Sequence, residues 1–425
     1  MHAASRALLV LAVALAGCHR AEAPQAQGAR DGQGPYVVQD WPLPVAPGAA
    51  EPELVVAADG RLLLGWVSSV PGRRNALQFS DTDAGGRWQT APRTIAVGNS
   101  LLANWANTPH LLATPDGALW VHWLQSAGAG EASNLALARS TNDGFSWSAP
   151  LQVNPDGAPA EHGFASLWPA ASDTLGMAWL AGAPEQPAAP AARAGRAMHA
   201  EPGAATALRA AIFDRNLQRS AEQVIDAQVC DCCRTAVAMT TRGPLLVYRD
   251  RSDAEIRDVA ATRFDGRAWS KPIPVHADGW KMTACPVNGP AIAARGNDAV
   301  VGWFTAAQDK PVVRLARTRD AGDHFDAPVT VDAGTQVEGR VAVALDARQA
   351  WVAWLREDAG GSTLWLSRYA SDLSHELQRF QVATLHARGP AAGYPQLAVR
   401  DDGAWLVWTD SVDGAPQLRG ARVTR

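Results

Sequence analysis

The chain has 425 residues, with 38 basic against 42 acidic side chains and a formal net charge of −4. A charge this small, with no basic stripe, argues against nucleic acid as a partner. Apolar residues make up 47% of the chain, the share of a soluble globular protein with a sizeable core. Length alone would fit two or three average domains, but a repeat across nearly the whole chain points to one large domain.

The N-terminus reads as a targeting segment. Arg6 precedes the apolar stretch ALLVLAVALAG, which is too short to span a bilayer as a permanent helix. The stretch leads into Leu15-Ala16-Gly17-Cys18, which resembles the lipobox of bacterial lipoproteins. The resemblance implies a signal peptide over residues 1–17, cleavage before Cys18 and a diacylglycerol on its thiol. The membrane is then met through lipid, in the cell envelope facing the periplasm. His19, rather than Asp, after the cysteine implies the outer membrane by the same resemblance. Residues 18–34 lack large apolar side chains and read as a flexible tether to a domain over 35–425.

Seven short apolar runs each follow a turn and close on an aromatic residue: Trp66, Trp123, Trp179, Tyr248, Trp303, Trp354 and Trp408. Their spacing of roughly 50 to 70 residues is the scale of propeller blades. One such unit cannot cover both of its faces alone, whereas units stacked radially bury one another. The second unit shows the layout, with strands at 108–114, Ala118–Trp123, Leu135–Ser140 and Ala149–Val153. Pro115-Asp116-Gly117, a Gly-rich loop and Asn142-Asp143-Gly144 separate them. The same layout can be drawn from Glu53, Asn107, Gly163, Cys232, Asn288, Gly339 and Gly393. The last unit runs out after Gln417–Val423, and the strand-like Tyr36–Trp41 can supply its outer strand and close the ring. The expected fold is all-β, a propeller of four-stranded antiparallel blades, most simply seven. Six is the alternative if the third unit, with its Ala/Pro/Gly insertion at about residues 181–205, is irregular.

A second repeat lies between the third and fourth strands. Ser140-Thr-Asn142-Asp-Gly144-Phe-Ser146-Trp147 has hydroxyl, amide, glycine and aromatic at fixed offsets; Thr318 to Phe325 matches well and Asp81 to Trp88 is degenerate. The polar side chains bond the hairpin backbone, glycine supplies positive φ and the aromatic packs on the blade. On these residues the chain resembles the sialidase-like propellers with BNR or Asp-box repeats, over roughly residues 36 to 425. Such boxes staple turns and speak for fold more than for activity.

Propeller topology puts the segments leading into the inner strands on one face, around the channel, with the Asp-box turns on the other. On the channel face fall Asn104-Trp105-Ala106-Asn107, Glu161-His162, Cys230 to Arg234, Cys285 to Asn288, Glu338-Gly339-Arg340, Gly393-Tyr394-Pro395 and the loop from Tyr248 to Asp258. The resemblance implies a catalytic tyrosine in place of a carboxylate pair, and arginines that fork onto a substrate carboxylate. It implies Tyr394 as nucleophile, Glu255 or Glu338 as its partner, Asp250 as acid/base, and Arg234, Arg251 and Arg340 as the clamp. Asn107 and Asn288 stand beside them as substrate-binding candidates. The activity so implied is an exo-α-sialidase or related glycoside hydrolase acting on or binding acidic glycans, with no cofactor required. Two features depart from the family. Its Arg-Ile-Pro signature is replaced by Pro-Gly-Ala-Ala-Glu-Pro-Glu, and sialidases have six blades.

Four cysteines lie in the domain: Cys230, Cys232, Cys233 and Cys285. In an oxidising compartment an even number fits disulfides, with Cys285 bridged to one of the triplet. A soft-metal site, Cu(I) or zinc, is the alternative, although the spacing is not that of standard zinc motifs. A redox-labile cluster is a third reading. His110, His122 and His162 form no metal triad. There is no Gly-rich phosphate loop and no Gly-x-Ser-x-Gly. Trp105, Trp168 and Trp280 lie near loops, where a sugar ring can stack. The rival to an enzyme is a non-catalytic envelope propeller, a scaffold for protein interaction or metal handling.

Overall fold

The computed structural model of the chain describes residues 35–69, 74–128, 132–154, 160–182, 205–400 and 403–425. Segments 1–17 and 18–34, Cys18 and most of the insertion (183–204) lie outside the described residues. No helix of the described residues is long and apolar enough to cross a membrane.

The described residues form seven four-stranded antiparallel sheets. Their inner strands are Ala49–Val56, His110–Ala113, His162–Pro169, Ala236–Thr240, Ala291–Arg295, Val337–Leu345 and Gln396–Arg400, in blades 1 to 7. Each inner strand contacts those of its two neighbours, and the seventh contacts the first, so the ring closes. Blade 7 takes its outer strand from the N-terminal side: Val37–Asp40 pairs with Ala415–Thr424. The third blade has all four strands (His162–Pro169, Leu175–Ala181, Thr206–Phe213, Arg219–Val229), which excludes the six-bladed alternative.

The core lies between blades. Seven apolar clusters each join two adjacent blades. Every strand-closing aromatic sits in the cluster shared with the preceding blade: Trp123 with blade 1, Trp179 with blade 2, Tyr248 with blade 3, and Trp66 with blade 7 across the closure. Three of them also bond a carboxylate on that blade. Tyr248 Oη donates to Asp226 Oδ2, Trp303 Nε1 to Asp278 Oδ2 and Trp354 Nε1 to Asp332 Oδ2, each at 2.7 Å. A buried ring with a polar edge needs such an acceptor.

The segments leading into the inner strands use a second device. In blade 3, Phe164 takes a left-handed φ of 50° at a register shift, and its N–H donates to Asn107 Oδ1 of blade 2 at 2.7 Å. In blade 6, Arg340 has φ 52° and its N–H donates to Asn288 Oδ1 of blade 5 at 2.8 Å. Asn288 Nδ2 donates in turn to the Glu338 carbonyl at 2.8 Å. The residue before each bulge must be glycine. A Cβ at Gly163 would sit 1.8 Å from Asn107 Nδ2, and one at Gly339 2.6 Å from Asn288 Oδ1. Asn107 and Asn288 are thus blade-to-blade clamps.

On the opposite face the two better hairpin repeats share one pattern. Ser140 Oγ accepts from the Gly144 N–H and Asn142 Oδ1 from the Ser146 N–H; Thr318 and Asp320 do the same for Gly322 and His324. Trp147 then meets Phe79 of the preceding blade edge to face at 6.0 Å.

Asn288→Ala leaves the buried Arg340 N–H without its acceptor. Chemical denaturation should show a loss of about 1–3 kcal/mol, and Asn107→Ala should lose a similar amount through Phe164.

Candidate functional site at the channel mouth

Bulges at inner strands re-aim side chains, and three equivalent positions here aim at one place. Glu51, with φ 56° at the register shift of blade 1, matches Phe164 and Arg340. All three surround an aromatic pair formed by Trp105 and Tyr394, whose rings stack at 6.1 Å with 17° between planes. The Arg340 guanidinium lies 4.8 Å from the Trp105 ring, and that of Arg234 lies 4.7 Å from the Tyr394 ring. The result is a layered stack, Arg340–Trp105–Tyr394–Arg234, drawn from blades 6, 2, 7 and 4.

Tyr394 separates two cavities. One, of about 300 Å³, runs along the channel past Glu53, His110, Arg234 and Gln396. The other, of about 270 Å³, is walled by Glu51, Pro52, Trp105, Pro390, Tyr394 and Asp410. The Tyr394 hydroxyl enters neither as a free group, because it donates to the Val287 carbonyl at 2.6 Å. Burial pushes its pKa up to about 12, with the Cys233 side chain adding to the rise and Arg234 and Arg340 opposing it. The phenol is therefore protonated at neutral pH.

The two arginines rest on neutral acceptors. Arg340 is buried, and its Nη1 donates to the carbonyls of Gly389 (2.6 Å) and Gly393 (3.1 Å). Burial lowers its pKa from the ordinary value. Arg234 Nη2 donates to Thr108 Oγ1 at 3.2 Å. Among the described residues neither has an ion pair, and the charges of Glu338 and Glu357 only partly offset the burial of Arg340.

Two carboxyls line the second cavity with opposed titration. Glu51 is buried, its Oε2 has no hydrogen-bond partner, and burial raises its pKa to about 8 against one backbone hydrogen bond from Asn104. Burial also disfavours the Asp410 carboxylate. The N–H groups of Ala387, Ser411 and His386 outweigh that and hold its pKa below the usual carboxylate range. A neutral acid and an ionised one in a single cavity is the division of roles that acid–base chemistry requires.

The other sequence candidates lie elsewhere or are engaged. Arg251 is tied to Glu255, with Nη2 2.7 Å from Oε1, and Arg257 reaches the same carboxylate at 3.0 Å. The Arg251 hydrogen bond comes first in holding Glu255 below the usual carboxylate range, with Arg257 adding to it. Asp250 accepts from the Arg251 N–H; burial, with the neighbouring charges of Asp226 and Asp258, raises its pKa. Glu338 contributes its carbonyl to Asn288. Trp168 is buried between blades 3 and 4, and Trp280 is buried under Arg249 at 4.8 Å, which leaves Trp105 as the stacking residue of the three at the mouth. His110 bonds Glu53 at 2.9 Å.

Cys232 and Cys285 form a disulfide joining the segments that lead into blades 4 and 5. Cys230 and Cys233 are buried free thiols. The expectation of bridging Cys285 to the triplet thus holds, whereas the second pair is reduced. Sequence reading passed over Glu51, Phe164 and Asp410. The signal for Glu51 was an acid after small residues at the start of an apolar strand, with Glu53 two positions on.

No known family profile matches the chain, and no curated protein matches it. Among solved structures, a protein of unknown function from Dyadobacter fermentans is similar at 15% identity and a TM-score of 0.48, over 89% of this chain and 95% of that one. The GH93 α-L-arabinofuranosidase of Fusarium graminearum, in complex with arabinobiose, is similar at 12% identity and a TM-score of 0.47, over 89% and 93%. The NanB sialidase of Streptococcus pneumoniae is similar at 10% identity and a TM-score of 0.44, over 89% of this chain and 68% of its own.

An unfolded glutamate titrates near its ordinary 4.5, and Glu51 in the fold near 8. Between these values the unfolded chain releases a proton that the native state keeps. Wild-type stability therefore falls as pH rises, by up to about 1.4 kcal/mol per pH unit. Glu51→Gln should match wild type in thermal melts below the lower pKa and exceed it increasingly toward the upper one.

Proposed function

We propose that the chain is an envelope-anchored propeller that binds an acidic glycan at the channel mouth and acts on it as a glycoside hydrolase. The observation that carries this reading is the convergence of Arg234 and Arg340, both without ion pairs among the described residues, on the Trp105–Tyr394 stack beside the neutral Glu51. Each part has a matching role. Arginine forks bind a carboxylate with two parallel bonds. The half-buried Trp105, which walls the second cavity, takes the apolar part of a sugar ring. A carboxyl still protonated at neutral pH is the group a glycosidic oxygen needs as it leaves.

In this reading Glu51 is the general acid, and Arg340 and Arg234, at the two ends of the stack, draw the acidic ligand to the mouth by their charge. Tyr394 becomes a nucleophile only when ligand binding draws its hydroxyl from the Val287 carbonyl. Glu255, Glu338 and Asp250 stay outside the reacting set. The exo-α-sialidase is the specific form of the proposal, and the Asp-box resemblance and the two arginines without ion pairs among the described residues support it. Anchoring through Cys18 at the outer membrane, facing the periplasm, rests on the lipobox and accords with a disulfide in the domain.

The purified domain should turn over a fluorogenic sialic-acid glycoside and bind sialic acid more tightly than a neutral sugar. Arg340→Ala should weaken acidic-sugar binding by about ten- to a hundred-fold while leaving neutral-sugar binding unchanged. Turnover should fall as pH passes about 8 and vanish in Glu51→Gln. A well-folded wild type that neither binds nor cleaves acidic glycosides would exclude the reading. Anchoring is checked separately by fatty-acid labelling, expected on wild type and absent from Cys18→Ser.

A further inference from the structure

The four domain cysteines meet at one point, on the segments that lead into blades 4 and 5. Cys230 and Cys233, spaced Cys-x-x-Cys, are buried, and their sulfurs lie 3.0 Å apart. Cys230 Sγ also lies 3.9 Å from Cys232 Sγ, which is bonded to Cys285. Neither Cys232 nor Cys285 is buried. A buried dithiol therefore backs directly onto an accessible disulfide.

The surroundings are built for a thiolate. Arg257 Nη1 lies 3.3 Å from Cys230 Sγ. Arg249 is buried, and its bonds run to the carbonyls of Asn288, Arg257 and Phe304, at 2.6 to 3.1 Å. It has no carboxylate partner among the described residues, which leaves its charge to the sulfurs. Burial works to raise both thiols. At Cys230 the contact with Cys233 and the charges of Arg249 and Arg257 overcome this and lower its pKa, while the same contact raises that of Cys233 further. A nucleophilic thiol beside a protonated one is the arrangement that thiol–disulfide exchange uses.

We propose that Cys230, Cys232, Cys233 and Cys285 form a thiol–disulfide relay in which the buried pair and the surface pair exchange one disulfide. The Cys230 thiolate attacks Cys232 Sγ, the Cys232–Cys285 bond breaks, and Cys285 leaves as a thiolate. Cys233, losing its proton, then attacks Cys230 Sγ and expels Cys232. The products are a Cys230–Cys233 disulfide and thiols at Cys232 and Cys285. Two electrons pass from the buried to the surface pair, the two protons of the buried thiols end on the surface sulfurs, and no outside oxidant is consumed. The surface dithiol is the part that a solvent-borne disulfide meets, and that is the class of substrate the relay takes. Such a substrate is reduced to two thiols as Cys232–Cys285 re-forms.

The test is alkylation of the native full chain with N-ethylmaleimide at mildly alkaline pH, without reductant, followed by peptide mapping of thiols and disulfides. Wild type should acquire label on Cys232 and Cys285 and a Cys230–Cys233 bond, at a rate independent of protein concentration. Cys233→Ser should stop at a Cys230–Cys232 bond with Cys285 labelled. Cys230→Ser should slow Cys285 labelling by about an order of magnitude or more. Recovery of wild type with Cys232–Cys285 intact and label only on Cys230 and Cys233 would overturn the relay, and this arm needs no variant to fold. Equal Cys285 labelling in Cys230→Ser would overturn it as well.

Discussion

Each blade of this protein has two apolar faces, and four strands cannot cover both. The faces must therefore be covered by neighbours, and the ring must close on itself. That constraint explains the aromatic at the end of every second strand, which sits in the interface with the preceding blade. It also explains why strand Val37–Asp40 joins the last blade, since an unpaired edge would present a row of free backbone groups. The carboxylates of Asp226, Asp278 and Asp332 refine the same interfaces by accepting the polar edge of the buried ring.

The channel mouth follows from how the inner strands begin. At blades 1, 3 and 6 the strand bulges and one residue takes left-handed φ. In two of these an asparagine from the blade before holds the bulge across a glycine. The device is structural, but its side chains are free to differ: a carboxyl at Glu51, a phenyl at Phe164 and a guanidinium at Arg340. A single backbone solution therefore sets three chemically different groups around Trp105 and Tyr394.

Buried positive charge is the second theme of this face. Arg234, Arg249 and Arg340 lack carboxylate partners among the described residues and rest on carbonyls, a hydroxyl and aromatic faces. A desolvated cation of this kind favours any anion that reaches it. The charge of Arg249 acts on the thiols of Cys230 and Cys233. At Arg234 the space beside it is cavity, and Arg340 lies over the Trp105 ring. The Cys285–Val287 segment lies between the two regions, since Cys285 is bonded to Cys232 and Val287 accepts the Tyr394 hydroxyl.

Much of the fold was legible in the sequence because it is written repeatedly. Trp66 through Trp408 recur at blade spacing, turn residues separate the strands, and Tyr36–Trp41 was left over for closure. The placing of Arg234, Arg340, Tyr394 and the cysteines on one face followed from topology alone. What the chain could not disclose is what each side chain does once there. Arg251 and Glu255 satisfy each other because four residues of loop bring them together. Asn107 and Asn288 are clamps because each faces a glycine more than fifty positions away. Glu51 carries no motif; its neutrality depends on being enclosed by Trp105, Tyr394 and the Pro390 turn, residues far from it in sequence. Periodic burial is a local property that repeats and can be read along the chain. Desolvation, bond satisfaction and the fate of a charge are set by what surrounds a group in space, and only the closed ring decides them.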